Sequence, residues 1–342
     1  MKKTSLKDIA NRVGVSTALV SYVLNNKKEG RISKEVAQRI RDTARQLRYR
    51  TNQVARSLKT NKTYTIGLIV ADISNPFFSM LARIIEDVAD ESRYTVIFGS
   101  SDENTEKFEK LIETFLNRQV DGLIIAPPAN AEAQVKYLQE QDMPFVLVDR
   151  YFPELETHHV GIDNYAAAFE AVQHLIQTGR RKIALVSFDP SIYTIAERKR
   201  GYVAALEQNA VIPGGALIKE LSTETSSEEV ERVIDELLSD PNKVDAILFG
   251  SNILAARALK YINTLSIVVP DDLAIISFDE TAAFDLFYSP ITFIRQPLQE
   301  MGRLATGILF DTMNTNQSPV QISLPATLVL RDSTRALKRP TV

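Results

Sequence analysis

Leu6 to Asn26 reads LKDIANRVGVSTALVSYVLNN. Ser5 stands three residues before Asp8, the spacing of a capping box, and Leu6, Ile9, Ala10 and Val13 then recur on one helical face. Gly14 ends that helix, and Ser16 can cap a second one whose apolar positions are Leu19, Val20, Val23 and Leu24. A third helix follows Ser33, with Val36, Ala37, Ile40, Ala44 and Leu47 facing inward and Arg39, Arg41, Arg45 and Arg48 mostly outward. Two short helices joined by a tight glycine turn and closed by a third predict a helix-turn-helix. Laid in a major groove, the second helix would present Thr17, Ala18, Ser21 and Tyr22, opposite its apolar stripe.

Charge agrees with that assignment. Residues 1–60 carry 15 basic and 4 acidic side chains, a net of +11, whereas the remainder carries 25 and 39, a net of −14. A basic block on an acidic body is the electrostatic footprint of a nucleic-acid module joined to a separate domain. The chain of 342 residues has room for two or three packed units and contains no cysteine, which excludes disulfides, thiolate metal sites and a cysteine nucleophile. No run reaches the roughly 18 apolar residues of a membrane span, and the charged start MKKTSLKDIANRVGV lacks the apolar stretch of a signal peptide. The expectation is a cytoplasmic protein that does not enter a membrane.

From Tyr64 the pattern changes to apolar strands alternating with amphipathic helices: YTIGLIV, YTVIFGS, DGLIIAP, PFVLVD, KIALVSF, DAILFG and LAIISFD. Near-continuous apolar runs of this kind are buried parallel strands, and the segments between them are helical crossovers. Ligands of open parallel sheets bind beyond the carboxyl ends of the strands. Polar residues gather there: Asp72, Asp149 and Arg150, Ser251 and Asn252, and Asp279, with Arg198 on the helix after KIALVSF. Any one of these acids alone reads equally well as a helix N-cap. Several converging with an arginine describe a cleft for a polyol, because carboxylates and guanidinium clamp vicinal hydroxyls. Phe77, Phe188 and Tyr193 are wall candidates that read equally as core.

The opening stretch resembles that of the lactose-repressor/galactose-repressor family of bacterial regulators, and YRTNQVARSLKTNKTYTIGLIV resembles that family's hinge helix and first core strand. ERKRGY, ISFDE and DISNPFF match further family elements, so the resemblance covers essentially the whole chain. It implies an α/β fold: a three-helix DNA-binding head (1–50), a hinge helix and linker (51–62), and a periplasmic-binding-protein-like core of two doubly wound subdomains. The first subdomain is expected at 63–161 and 293–324, the second at 162–292 and 325–342. In the hinge, Asn52, Ala55 and Leu58 take the family positions, with Leu58 as the wedge that kinks the operator centre. Ser5, Ser16, Asn25 and Arg31 complete the expected DNA-facing set. Effector is expected at Asp72, Asn75, Phe77, Asp149, Arg150, Arg198, Ser251, Asn252 and Asp279, with Arg198 donating a paired fork to it.

Two departures stand out. The recognition helix reads Leu19-Val20-Ser21-Tyr22 where relatives often have Thr-Val-Ser-Arg, which removes a guanine reader. Ser251-Asn252 replaces the usual Asn-Asp pair, so the effector is not fixed by resemblance. The expected partners are a near-palindromic double-stranded operator, a sugar (or a purine-like compound) as effector, and a second copy of the chain. The C-terminal tail has no leucine heptads to build a tetramer, so a homodimer is expected.

An enzyme is disfavoured. There is no Gly-x-Gly-x-x-Gly after a strand, no P-loop and no Gly-x-Ser-x-Gly, and His158, His159 and His174 have no metal-ligand spacing. A two-carboxylate glycosidase from Asp149 and Asp279 would need one acid kept protonated, against the guanidinium beside it. No cofactor and no metal are expected. A secreted sugar-binding protein on the same core would not carry the head, and a DNA-bending protein would not need the cleft.

Overall fold

The computed structural model describes residues 4–25, 32–49, 62–189, 191–211, 217–239, 243–315 and 317–336. It divides into two compact units, residues 1–63 and 64–342. In the first, α1 (Leu6–Val13), α2 (Thr17–Leu24) and α3 (Lys34–Gln46) pack around Ile9, Val13, Val20, Val23, Ile40 and Ala44. Their ends are set by local chemistry. Ser5 accepts from the Asp8 N–H while Asp8 reaches back to the Ser5 N–H at 2.8 Å, a full capping box. Gly14 sits at φ 79°, a left-handed turn that a side chain would strain, and Ser16 and Ser33 cap α2 and α3. Among the hinge and turn expectations, Arg31, Asn52, Ala55 and Leu58 lie outside the described residues.

The second unit holds two six-stranded sheets. The first comprises β1 (Thr65–Val70), β2 (Thr95–Ser100), β3 (Gly122–Ile125), β4 (Phe145–Val148), β5 (His159–Ile162) and β11 (Gln321–Leu324), in the order β11-β5-β4-β3-β1-β2. The second comprises β6 (Ile183–Phe188), β7 (Leu217–Leu221), β8 (Ala246–Phe249), β9 (Ala274–Phe278), β10 (Thr292–Arg295) and β12 (Thr327–Val329), ordered β12-β10-β9-β8-β6-β7. All pairings are parallel except β10 with β12. Each sheet thus repeats one doubly wound plan, in which the strand order reverses beside the first strand of the set and opens a crevice at the carboxyl ends. The central strands are buried, apart from the half-buried Thr65 that opens β1, as their apolar sequences require.

The chain changes sheets after Ile162, after Arg295 and after Leu324. The boundary expected at residue 293 falls inside β10, and β10 belongs to the second sheet. Its register with β9, Thr292 opposite Ile276, fixes it there, and the Thr292 Oγ1 bonds the Arg331 carbonyl of the same half at 3.2 Å. The following helix, Leu298–Thr312, packs on Pro76–Glu91 of the first half. Close packing also decides Gly201: a Cβ there would collide with the Tyr165 carbonyl oxygen, because helices Asn164–Gln177 and Tyr193–Gln208 pack side by side.

Candidate functional site

In the head, α2 presents Thr17 and Ala18 exposed and Ser21 and Tyr22 half-buried, on the side away from Val20 and Val23. Ser5 and Ser16 are engaged as helix caps, and the Asn25 side chain donates to the Ser21 carbonyl at 2.8 Å, closing the end of α2. These bonds satisfy the end groups of each helix locally. The sequence TALVSYVL gives α2 a short, uncharged outer face, unlike the arginine-bearing α3, where Arg39 and Arg45 are exposed.

In the core, the carboxyl ends of the strands face one cavity of about 110 Å3. Of the expected residues, Asp72, Asn75, Phe77, Asp149, Arg150, Arg198, Ser251 and Asp279 line it, as does Phe188. Asn252 is behind this lining, buried, and donates to the Asn75 Oδ1 at 3.1 Å across the two halves. Tyr193 is not among the lining residues; its ring meets Tyr151 edge-on at 5.2 Å, and Tyr151 in turn stacks on His159. Asp72 lines the cavity with its carboxylate already engaged, accepting from the Ser74 N–H and hydroxyl at 2.8 Å each.

Asp149 and Asp279 occupy matching places, directly after β4 and β9, the corresponding strands of the two sheets. Both have left-handed backbones, φ 64° and 66°, a conformation unusual for a residue with a side chain and concentrated at functional turns. Both are buried. Burial raises the Asp149 carboxyl to about 6, against the pull of Arg150 and Arg198, and raises Asp279 as well, with Arg198 and the Gln296 amide opposing.

The expected free fork of Arg198 is not what the structure holds. Its Nε donates to Asn164 Oδ1 and its Nη1 to the Gly250 carbonyl, each at 2.7 Å, and the guanidinium lies 4.0 Å from the centre of the Phe278 ring. Burial lowers its pKa, with Asp279 and Asp149 acting in the opposite sense. One Nη1 hydrogen and both Nη2 hydrogens carry no such bond, while Asn164 and Gly250 hold the side chain in place. Arg150 is occupied too. Both its Nη atoms bond Glu103 at 2.7 Å in a bidentate pair, and its Nε is 3.7 Å from Asp149. Burial works against the Arg150 charge, but the Glu103 carboxylate more than offsets it and raises the pKa.

Glu103 and Gln296 are the residues that sequence reading passed over. Each follows a strand end, β2 and β10, so the same rule that found Asp149 applied to them. Gln296 donates to Asp279 at 2.7 Å. The three histidines are held by structural contacts: His158 Nδ1 accepts from the Val320 N–H at 3.0 Å, His159 stacks on Tyr151, and His174 bonds Thr334 Oγ1 at 2.9 Å. Burial lowers the pKa of all three, that of His159 to about 4. Among the described residues no group of His, Cys, Asp or Glu could hold a metal ion, and no helix is long and apolar enough to cross a membrane.

A helix-turn-helix unit joined in one chain to twin doubly wound sheets around a polar cleft defines a DNA-binding regulator with a periplasmic-binding-protein-like core. Sequence comparison agrees at both ends: the bacterial regulatory proteins of the lacI family match residues 5–52, and the periplasmic binding protein-like domain matches residues 172–334. The chain is 32% identical to the ribose operon repressor of Halalkalibacterium halodurans, over 97% of each chain. It is 33% identical to catabolite control protein A of Priestia megaterium, over 97% of this chain and 99% of that one. In structure it is similar to the lac repressor dimer bound to operator and the anti-inducer ONPF, with a TM-score of 0.86, 21% identity, and coverage of 98% of this chain and 100% of that one; at that identity the likeness speaks for the fold. The chain belongs to the lacI family and is a DNA-binding transcriptional repressor. Relatives of this kind are transcriptional regulators, not enzymes.

Proposed function

We propose that the chain binds a near-palindromic operator as a homodimer and that a small polar effector, a sugar, binds between the two sheets and changes operator affinity. The observation that carries the effector site is the matched pair Asp149 and Asp279, buried at equivalent strand ends with Arg198 beside them. Two carboxylates and a guanidinium converging in one cavity suit vicinal hydroxyls. The 32% identity to a ribose operon repressor supports a sugar over the purine-like alternative.

In the head, Thr17, Ala18, Ser21 and Tyr22 read base edges, while Ser5, Ser16, Asn25 and Arg31 contact the backbone. Asn52, Ala55 and Leu58 act as the hinge, Leu58 wedging the operator centre. Coupling is a linkage: the effector favours one relative placement of the two core halves and so biases the hinge. The Asn252–Asn75 and Tyr151–Tyr193 contacts bridge the halves and belong to one such placement.

A thermal-shift screen of the full chain against free sugars and purines, followed by operator binding with and without each hit, tests this. The expected hit is a sugar that changes operator affinity at least fivefold. Operator affinity should also fall with salt, with a log–log slope near −0.9 for each phosphate neutralised. A hit that binds yet leaves operator affinity unchanged defeats the regulatory role.

A further inference from the structure

The second helix of the head lacks the side chains that usually tell bases apart. Its eight residues, TALVSYVL, include no Arg, Lys, Asn, Gln, Asp, Glu or His. Paired hydrogen bonds to a base edge need one of these: Arg or Lys on guanine, Asn or Gln on adenine, a carboxylate on cytosine. Asn25, the next residue, has the nearest amide, but its nitrogen is turned back on the helix end and donates to the Ser21 carbonyl at 2.8 Å. That fold-back removes the side-by-side donor and acceptor that an amide uses on adenine. Charge lies on the flanking helices instead, where Lys7, Arg12, Lys34, Arg39 and Arg45 are exposed. Cations so placed suit phosphates, which supply affinity on any sequence but no discrimination.

Of the α2 side chains, Leu19, Val20, Val23 and Leu24 pack in the head's own core. Thr17, Ser21 and Tyr22 carry hydroxyls, and a hydroxyl donates or accepts, so it pairs with either kind of base edge. The one selective chemistry left on this face is aliphatic carbon. Thr17 and Ala18 are the first two residues of α2 and both are exposed. In a helix-turn-helix it is the N-terminal residues of the recognition helix that reach base edges. Thymine alone among the bases presents a methyl group in the major groove. Methyl against methyl removes apolar surface from water on both partners, a gain that no other base returns.

We infer that Thr17 and Ala18 read thymine through its 5-methyl group, an assignment that rests on the head binding a near-palindromic operator. The half-site then carries A·T pairs under the start of α2, and no guanine there is read by a paired donor contact. The hydroxyls of the same face adapt to whichever edges lie beside those pairs.

Selection of the full chain on a random duplex library supplies the site to test. Each thymine of that site is then replaced in turn by deoxyuridine, which removes the methyl and keeps the base pair and the O4 acceptor. At one or two thymines per half-site, binding should weaken about threefold to tenfold, the worth of one buried methyl group. Exchanging such a T·A pair for C·G should also weaken binding, and 5-methylcytosine in place of that cytosine should recover at least twofold, because the methyl returns to the same place. Thr17→Ser and Ala18→Gly each delete a methyl from the protein side; in at least one of them the deoxyuridine effect should fall below threefold, with circular dichroism showing the fold intact. A half-site in which no deoxyuridine weakens binding threefold overturns the assignment. So does 5-methylcytosine that recovers less than twofold, or a deoxyuridine effect that stays at threefold or more in both variants. Should selection return no preferred site, the operator reading itself fails. A near-palindrome indifferent to thymine methyls leaves that reading standing and sinks this one.

Discussion

Asp149→Asn should make the unliganded core more stable at neutral pH while weakening its ligand. The Asp149 carboxyl titrates at about 6 in the folded protein and at 3.8 unperturbed, chiefly because burial disfavours its charge. Between those values the folded chain binds more protons than the unfolded one, so this group's stabilising contribution is complete below the unfolded value and is lost as pH rises through about 6. At pH 7 the ionised carboxylate is then carried at a cost of roughly 3 kcal/mol, taking about 1.4 kcal/mol per pH unit of separation. Asparagine keeps the shape and drops the charge. The neighbouring guanidiniums stay paired, Arg150 with Glu103 at 2.7 Å and Arg198 with Asp279 as its main opposing charge. Urea denaturation followed by circular dichroism should show the variant more stable at pH 7 by about 1–3 kcal/mol, and its advantage should shrink to about half by pH 5. The chain has no tryptophan, so tyrosine emission is the fluorescent alternative. A variant no more stable than wild type at pH 7, or one whose advantage does not shrink on acidification, refutes the claim that Asp149 is held ionised against its own burial.

Arg198→Ala should lose about 3–5 kcal/mol of core stability in the same assay, since buried Asp279 loses its main cation and Asn164 and Gly250 lose their donor; a stable variant would show that these bonds contribute little. Arg198→Lys should recover only a minor part of the loss, because an ammonium cannot reproduce two fixed N–H directions and a flat face on Phe278. Gly201→Ala should destabilise the core by about 1–3 kcal/mol through the clash with the Tyr165 carbonyl, read as an earlier thermal transition; an unchanged transition would mean that the two helices part without cost. In the head, Ser5→Ala should cost about 1 kcal/mol by removing the cap of α1, and calorimetry showing no lower transition for the head would contradict the cap's role.

Elements defined by neighbours a few residues apart could be read directly. The Ser5–Asp8 box, the Gly14 stop and the Ser16 and Ser33 caps all depend on spacings of a turn or less, and all are present. The buried strands were equally plain, since a strand covered on both faces has to be apolar along its whole length. The strand-end rule located Asp149, Asp279 and Ser251, which line the cleft. It also pointed to Tyr193 as a wall, but the ring packs on Tyr151 instead, a contact between residues 42 apart that no local pattern encodes.

By itself, then, the sequence determined the order of elements, the basic head, the doubly wound architecture and the strand ends where polar groups would gather. Only the tertiary structure decided which of those groups are engaged. Arg198 reads as a fork for a ligand in the sequence, and the fold shows that Asn164 and Gly250, from two other segments, hold its Nε and one Nη1 hydrogen. Arg150 looked available until Glu103 closed on it, and Gln296 drew no notice until it bonded Asp279. The boundary expected at residue 293 put most of β10 in the first half, and its register with β9 places it in the second. The physical reason is common to all of these. Hydrogen-bond saturation and sheet register are settled by partners distant in sequence, whereas helix caps and apolar periodicity are settled by residues within a turn of one another.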